Sequence, residues 1–82
     1  MLCRVVGIRR VDMTGDNGQP VRGYSVFMEH DEDGVTGVMA EKTFVADDWI
    51  HGHLDGWIPN PGDDCECSFN RRGKIVIDSP AV

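Results

Sequence analysis

Apolar and polar residues alternate along most of this chain, and short polar clusters interrupt the alternation at regular intervals. Alternation of this kind places successive side chains on opposite faces of a β-strand. The interruptions are rich in Gly, Asn, Asp and Pro, which are the residues that form turns. The pattern predicts five short strands at residues 2–12, 21–30, 35–46, 63–69 and 74–78, followed by a frayed tail at residues 79–82.

One glycine and one helical segment refine this prediction. Gly7 lies inside the first strand, where the apolar phase changes, and a glycine at such a place indicates a β-bulge or a sharp bend. Residues 49–54 predict a short helix that Asp47 or Asp48 would cap. Three strands, a helix and a final hairpin favour one all-β domain over residues 1–78, a five-stranded OB-like barrel. An SH3-like barrel is the alternative, and neither architecture specifies a function.

Composition limits the class of protein further. The 82 residues, 40% of them hydrophobic, suit one small globular domain, and a domain of this size favours stabilisation as a homodimer. No apolar run approaches the ~20 residues that a membrane span needs, so we expect no membrane contact. The first residues do not form a signal peptide, and the three cysteines are an odd number. Together these features predict reduced thiols and a cytoplasmic location.

The charge is strongly acidic but unevenly distributed. The net charge of −6 argues against a broad, non-specific grip on nucleic acid. The acidic residues concentrate in residues 29–33, 47–48 and 63–66, whereas most basic residues lie in residues 9–10, 22 and 71–74. A local basic face therefore stays compatible with the acidic total.

Several segments together resemble a known group of proteins. The residues VVGIRRVD at 5–12, KTFV at 42–45, PGD at 61–63 and FNRRGK at 69–74 carry the resemblance. They resemble short, largely uncharacterised proteins encoded in phages and mobile elements of Gram-positive gut bacteria, which are similar in length and pattern to small phage single-strand DNA-binding proteins. The chain departs from the expected pattern at Met13, where a Phe is expected. The resemblance implies a DNA-processing context and transfers no active site.

A single-stranded DNA interface is the first functional hypothesis. In an OB-like barrel, strands two and three with their flanking loops form the usual ligand face, where aromatic side chains stack on bases and cations meet phosphates. A solvated polar surface is the simpler interpretation of the same basic residues. The candidate contacts are Arg9, Arg10, Arg22, Tyr24, Phe27, Lys42, Phe44, Arg71, Arg72 and Lys74.

Metal binding and catalysis have weaker support in the sequence. His51, His53, Cys65 and Cys67 have the right number and type of ligands for zinc, but only one residue separates the members of each pair. We therefore expect the cysteines to be core residues and expect no cofactor. No nucleotide-binding or nucleophile motif is present, and no side chain at a recognisable spacing would orient a Cys–His pair. The chain is not expected to be an enzyme.

A protein-interaction or accessory module is the alternative hypothesis. The acidic stretch at residues 29–33 would attract a basic protein partner, and its simpler role is to keep a hairpin tip soluble. Trp57 lies beside Pro59 and Pro61, and an exposed Trp57 would indicate a protein interface. On this hypothesis the chain binds no nucleic acid.

Overall fold

The computed structural model describes residues 1–81 and contains five antiparallel strands in one sheet, with one short helix. The predicted order of elements is confirmed. The elements are β1 (Leu2–Thr14), β2 (Pro20–His30), β3 (Met39–Ala46), α1 (Asp47–Gly52), β4 (Asp64–Phe69) and β5 (Ile75–Pro80).

The sheet is curled but open. Its strand order is β3-β2-β1-β4-β5, and no backbone ladder joins the edge strands β3 and β5 within residues 1–81. The predicted all-β domain with five strands and one short helix is confirmed, and its sheet does not close into a barrel. Side chains link the two edges instead. The Thr43 hydroxyl donates to the Ile75 carbonyl oxygen at 2.8 Å, and the Trp49 indole donates to that of Ile77 at 2.9 Å.

The β-bulge predicted at Gly7 is confirmed. Val5 pairs with Met28 and Gly7 pairs with Phe27, so Val6 is the extra residue on β1. Val6 is 50% exposed, whereas Val5 is fully buried. The bulge bends β1, which lets the first half of the strand pair with β4 while the second half continues alongside β2.

Several strand boundaries differ from the prediction by one to four residues, among them the start of β3 and the end of β5. β3 begins at Met39 and not at residue 35, because the chain first passes through turns in which Gly34 and Gly37 adopt positive φ angles of 82° and 94°. β5 continues to Pro80, and the backbone amide of Ala81 donates to the Asp64 carbonyl at 3.0 Å. The frayed tail is thus wrong for residues 79–81, and residue 82 lies outside the described residues.

α1 covers one end of the core. Ile50 is buried and Trp49 packs against the core from its margin. The helix begins at Asp47, two residues earlier than predicted, and its N-cap position is Ala46, which makes no side-chain capping bond. The predicted aspartate cap is wrong because the Asp47 carboxylate binds Arg10 instead. No helix in residues 1–81 is long and apolar enough to cross a membrane.

Candidate nucleic-acid interface

Four of the predicted contact residues lie on the outer face of the β1–β2–β3 part of the sheet. One row across the strands is Arg9, Ser25 and Phe44, and the next row is Gly7, Phe27 and Lys42. Directly paired residues share one face of a sheet. The core residue Val26 lies on the opposite face, so Arg9, Phe27, Lys42 and Phe44 share the outer face. We call these four residues the outer-face cluster.

Glycines on the neighbouring strands make room for both aromatic rings of the cluster. A β-carbon placed on Gly7 would lie 3.5 Å from the Phe27 ring, and one placed on Gly23 would lie 2.8 Å from Cζ of Phe44. Each ring therefore lies close to the backbone of the adjacent strand. Phe44 nevertheless stays 45% exposed, so part of its side chain is open to a ligand.

An open groove of about 570 Å³ continues from the outer-face cluster to the β4–β5 turn. Lys42 and Phe44 line it from β3, while Asn70 and Lys74 line it from the turn. The groove runs along the gap between the two sheet edges. Because the sheet does not close there, a chain-like ligand has access to both edges.

Asn70 fixes the shape of this turn. Its side-chain oxygen accepts hydrogen bonds from the backbone amides of Arg72 and Lys74 at 2.9 and 3.0 Å. Gly73 adopts a φ angle of 76°, which a residue with a side chain rarely does. The turn therefore holds Lys74 at the groove, while Arg71 and Arg72 are exposed at the tip of the turn.

Arg10 and Tyr24 do not join the outer-face cluster. The Arg10 guanidinium binds both carboxylate oxygens of Asp47 at 2.6 and 3.0 Å, and it lies over the Tyr24 ring at 5.0 Å from the centroid. The Tyr24 side chain packs against the core. The hydrogen bond from Arg10 lowers the pKa of Asp47, as expected for a close ion pair. Arg10 and Tyr24 therefore have partners of their own on the opposite face of the sheet, and neither belongs to the outer-face cluster.

Arg22 also has a partner. Its Nε donates to an Asp12 carboxylate oxygen at 3.3 Å on the opposite face of the sheet from Phe27. By contrast, Arg9, Lys42 and Lys74 have no carboxylate within 4.0 Å in the part of the chain that the structure describes. Lys42 instead lies over the Phe27 ring at 5.7 Å from its centroid. Three unpaired cations therefore lie on the outer face or line its groove, while Arg4, Arg71 and Arg72, which are also without an ion pair in residues 1–81, do not line it.

The proposed zinc ligands do not come together. His51 and His53 are exposed at the end of α1 and just beyond it, and His53 stacks on Trp49 with 3.9 Å between the ring centroids. Cys65 and Cys67 are buried in the core, as the alternative interpretation predicts. Within residues 1–81 no group of three or more His, Cys, Asp or Glu side chains is arranged to hold a metal ion.

Two residues that position the interface were not identified from the sequence. Gly23 provides the surface against which Phe44 lies, and Asn70 organises the turn that carries Lys74. A signal for Asn70 was present, because an Asn three residues before a Gly is typical of a turn. No family model, curated protein or solved structure matches the chain.

Proposed function

We propose that this protein binds single-stranded nucleic acid, most directly single-stranded DNA, along the outer face of β2 and β3. The observation that carries the proposal is the convergence of Phe44, Lys42 and Lys74 on one open groove. Phe44 offers an exposed ring for base stacking, and the two lysines offer unpaired positive charge for phosphates.

The strand arrangement supports the same proposal through an OB-like architecture. The order β3-β2-β1-β4-β5 leaves β3 and β5 as neighbouring edges, and the helix lies between β3 and β4 in the chain. An OB-like fold is a partly open barrel whose β2–β3 face and β4–β5 loop bind oligonucleotides. The outer-face cluster and the Asn70 turn occupy those two places.

The roles of the residues follow from their positions. Phe44 and Phe27 lie on adjacent strands in neighbouring rows, about 7–8 Å apart on the diagonal of an antiparallel pair. Such a separation suits stacking on successive bases of an extended strand. Arg9, Lys42 and Lys74 contact phosphates, and Arg71 and Arg72 add longer-range attraction from the turn. The acidic remainder of the surface repels phosphates, so binding is confined to the outer-face cluster and its groove.

Fluorescence anisotropy with labelled oligo-dT at low salt tests the proposal. Three phosphate contacts give a slope of about −2 in log K against log salt concentration for a single strand. We expect a duplex of equal length to bind more weakly, because its bases are not free to stack on Phe44. Absence of binding at tens of micromolar protein would exclude this function and favour the alternative of an acidic protein-interaction module.

A further inference from the structure

Three sulfur atoms meet in the core, away from the proposed interface. The Cys65 and Cys67 sulfurs lie 3.6 Å apart, and they lie 3.7 and 3.9 Å from the Met28 sulfur. Alternation along β4 points both cysteines inward, and Met28 faces them from β2. All three side chains are buried, and the cysteines are free thiols.

The triangle has the dimensions of a metal site. Its sides are nearly equal, so a point equidistant from the three sulfurs lies about 2.2 Å from each of them. Metal–thiolate bonds such as Zn–S are of similar length, about 2.3 Å. An ion at this point would bond to all three sulfurs with little movement of the backbone.

We propose that Cys65, Cys67 and Met28 form a three-coordinate site for a soft monovalent cation, Cu(I). Thiolate and thioether ligands select soft ions, whereas magnesium, calcium and manganese prefer oxygen. Residues 1–81 contain no metal-binding group made of three or more His, Cys, Asp or Glu side chains. The proposed site is of a different kind, because its third ligand is a methionine.

Cys3, the third buried cysteine, lies beside the triangle. This buried cysteine lines an open groove of about 210 Å³ together with Glu29, Asp31 and Asp64. Arg4 and His30 line the same groove, so its lining carries both acidic and basic side chains. Cys3 also pairs with Cys65 in the register of β1 with β4, which places it next to the triangle.

Binding is a ligand exchange without a redox step. Cu⁺ forms three Cu–S bonds, and the two thiol protons leave for solvent as the thiolates form. No electron is transferred and no bond in the backbone changes. The occupied site carries one net negative charge, from two thiolates and one cation.

The test is a titration of the reduced protein with Cu(I), held by a chromophoric chelator under anaerobic conditions with ascorbate. We expect one equivalent of copper to be withdrawn from the chelator and a thiolate-to-copper absorption band to appear. X-ray absorption of the loaded wild-type protein should show a shell of sulfur only. Failure to withdraw copper, or a shell containing nitrogen or oxygen, would overturn the proposal.

Variants locate the site within the chain. Cys65→Ala or Cys67→Ala should weaken copper binding at least about 100-fold. Loss of a residue that only hydrogen-bonds to a metal ligand costs up to about 100-fold in metal affinity, and loss of the ligand itself should cost at least as much. Cys3→Ala is the matched control, because it removes a buried thiol that is not a ligand, and it should keep one equivalent of copper. An equal loss in Cys3→Ala and Cys65→Ala would contradict the triangle. Met28→Leu conserves volume, so it should fold and bind more weakly.

Discussion

Phe44 lies across Gly23 on the outer face of the sheet. A β-carbon on Gly23 would be 2.8 Å from Cζ of Phe44, and it would also collide with the Val45 carbonyl oxygen. Gly23 therefore has two functions: it permits the close approach of β2 to β3, and it leaves the surface on which the ring of Phe44 lies. The aromatic candidate is held in place by the fold while much of its surface stays exposed.

Replacing Gly23 by alanine should destabilise the protein. The new methyl group meets backbone atoms of β3, which cannot move as a side chain does, and overpacking of this kind costs about 1–3 kcal/mol. Urea denaturation followed by tryptophan fluorescence measures the loss.

Gly7→Ala is the control for that substitution. A β-carbon at Gly7 would meet only the Phe27 side chain, at ordinary contact distances of 3.5–3.8 Å. We expect the urea midpoint of Gly7→Ala to lie closer to wild type than that of Gly23→Ala. The reverse ranking would contradict the described packing of β2 against β3.

Thr43 and Trp49 should hold the open edges of the sheet together. Thr43→Val keeps the shape of the side chain but removes the hydrogen bond to Ile75, and Trp49→Phe removes the bond to Ile77. Each loss should cost about 1 kcal/mol, the usual net contribution of one hydrogen bond. Hydrogen–deuterium exchange should show faster exchange of β5 amides in both variants. Thr36→Val, in the exposed loop before β3, should leave that exchange unchanged.

His30 should make stability fall as the pH rises through neutrality. Its side chain is 2% exposed, and its two ring nitrogens face oxygen acceptors, the Asp31 carbonyl at 3.0 Å and a Glu41 carboxylate oxygen at 3.2 Å. This arrangement favours the imidazolium form, in which both nitrogens donate. The hydrogen bond to Asp31 and those with Glu41, together with the charge of Glu32, raise the pKa of His30 above its usual 6.5 despite burial.

A raised pKa in the folded state fixes the sign of this effect. The stabilisation is complete below the unfolded pKa of about 6.5, and it is lost as the pH rises through the higher folded pKa. The urea midpoint should fall between pH 6 and pH 8, and it should fall less in His30→Gln. A wild-type midpoint that rises over this range would contradict the assignment, and an NMR titration of His30 gives the pKa directly.

Phe44→Leu should reduce the binding free energy for oligo-dT more than it reduces the free energy of unfolding. Leucine still covers Gly23, but it has no aromatic face, and loss of one stacked base costs about 1–3 kcal/mol of binding free energy. Phe69→Leu is the matched control, because Phe69 is also exposed but does not line the groove. Equal losses of affinity in the two variants would argue against stacking on Phe44.

The strands were predictable because period-two alternation and turn residues are local signals. Gly7 marked its bulge for the same reason, since the apolar phase changes around it. Closure of the sheet was not predictable, because it depends on whether β3 and β5 meet after the whole chain has curled. In the folded chain two side chains bridge that gap and no backbone ladder forms.

The candidate interface was predictable only in part. Arg9 and Arg10 are adjacent in a strand, so alternation alone places them on opposite faces, and only Arg9 joins Phe27. The pairing of Arg10 with Asp47 is a contact across 37 residues, for which the sequence has no local signal. The same holds for the approach of Lys74 to Lys42, which depends on the position of the β4–β5 turn.

The salt dependence of oligo-dT binding by Lys42→Gln and Arg4→Gln tests the central claim most directly. Both substitutions remove one positive charge, but Lys42 lines the groove, whereas Arg4 lies outside it, opposite Glu29 and Asp64 in the strand registers. If Lys42 contacts a phosphate, its loss should reduce the slope of log K against log salt concentration by about 0.7, while Arg4→Gln leaves the slope at the wild-type value. Equal slopes for the two variants, or wild-type protein that does not bind, would contradict the proposed interface.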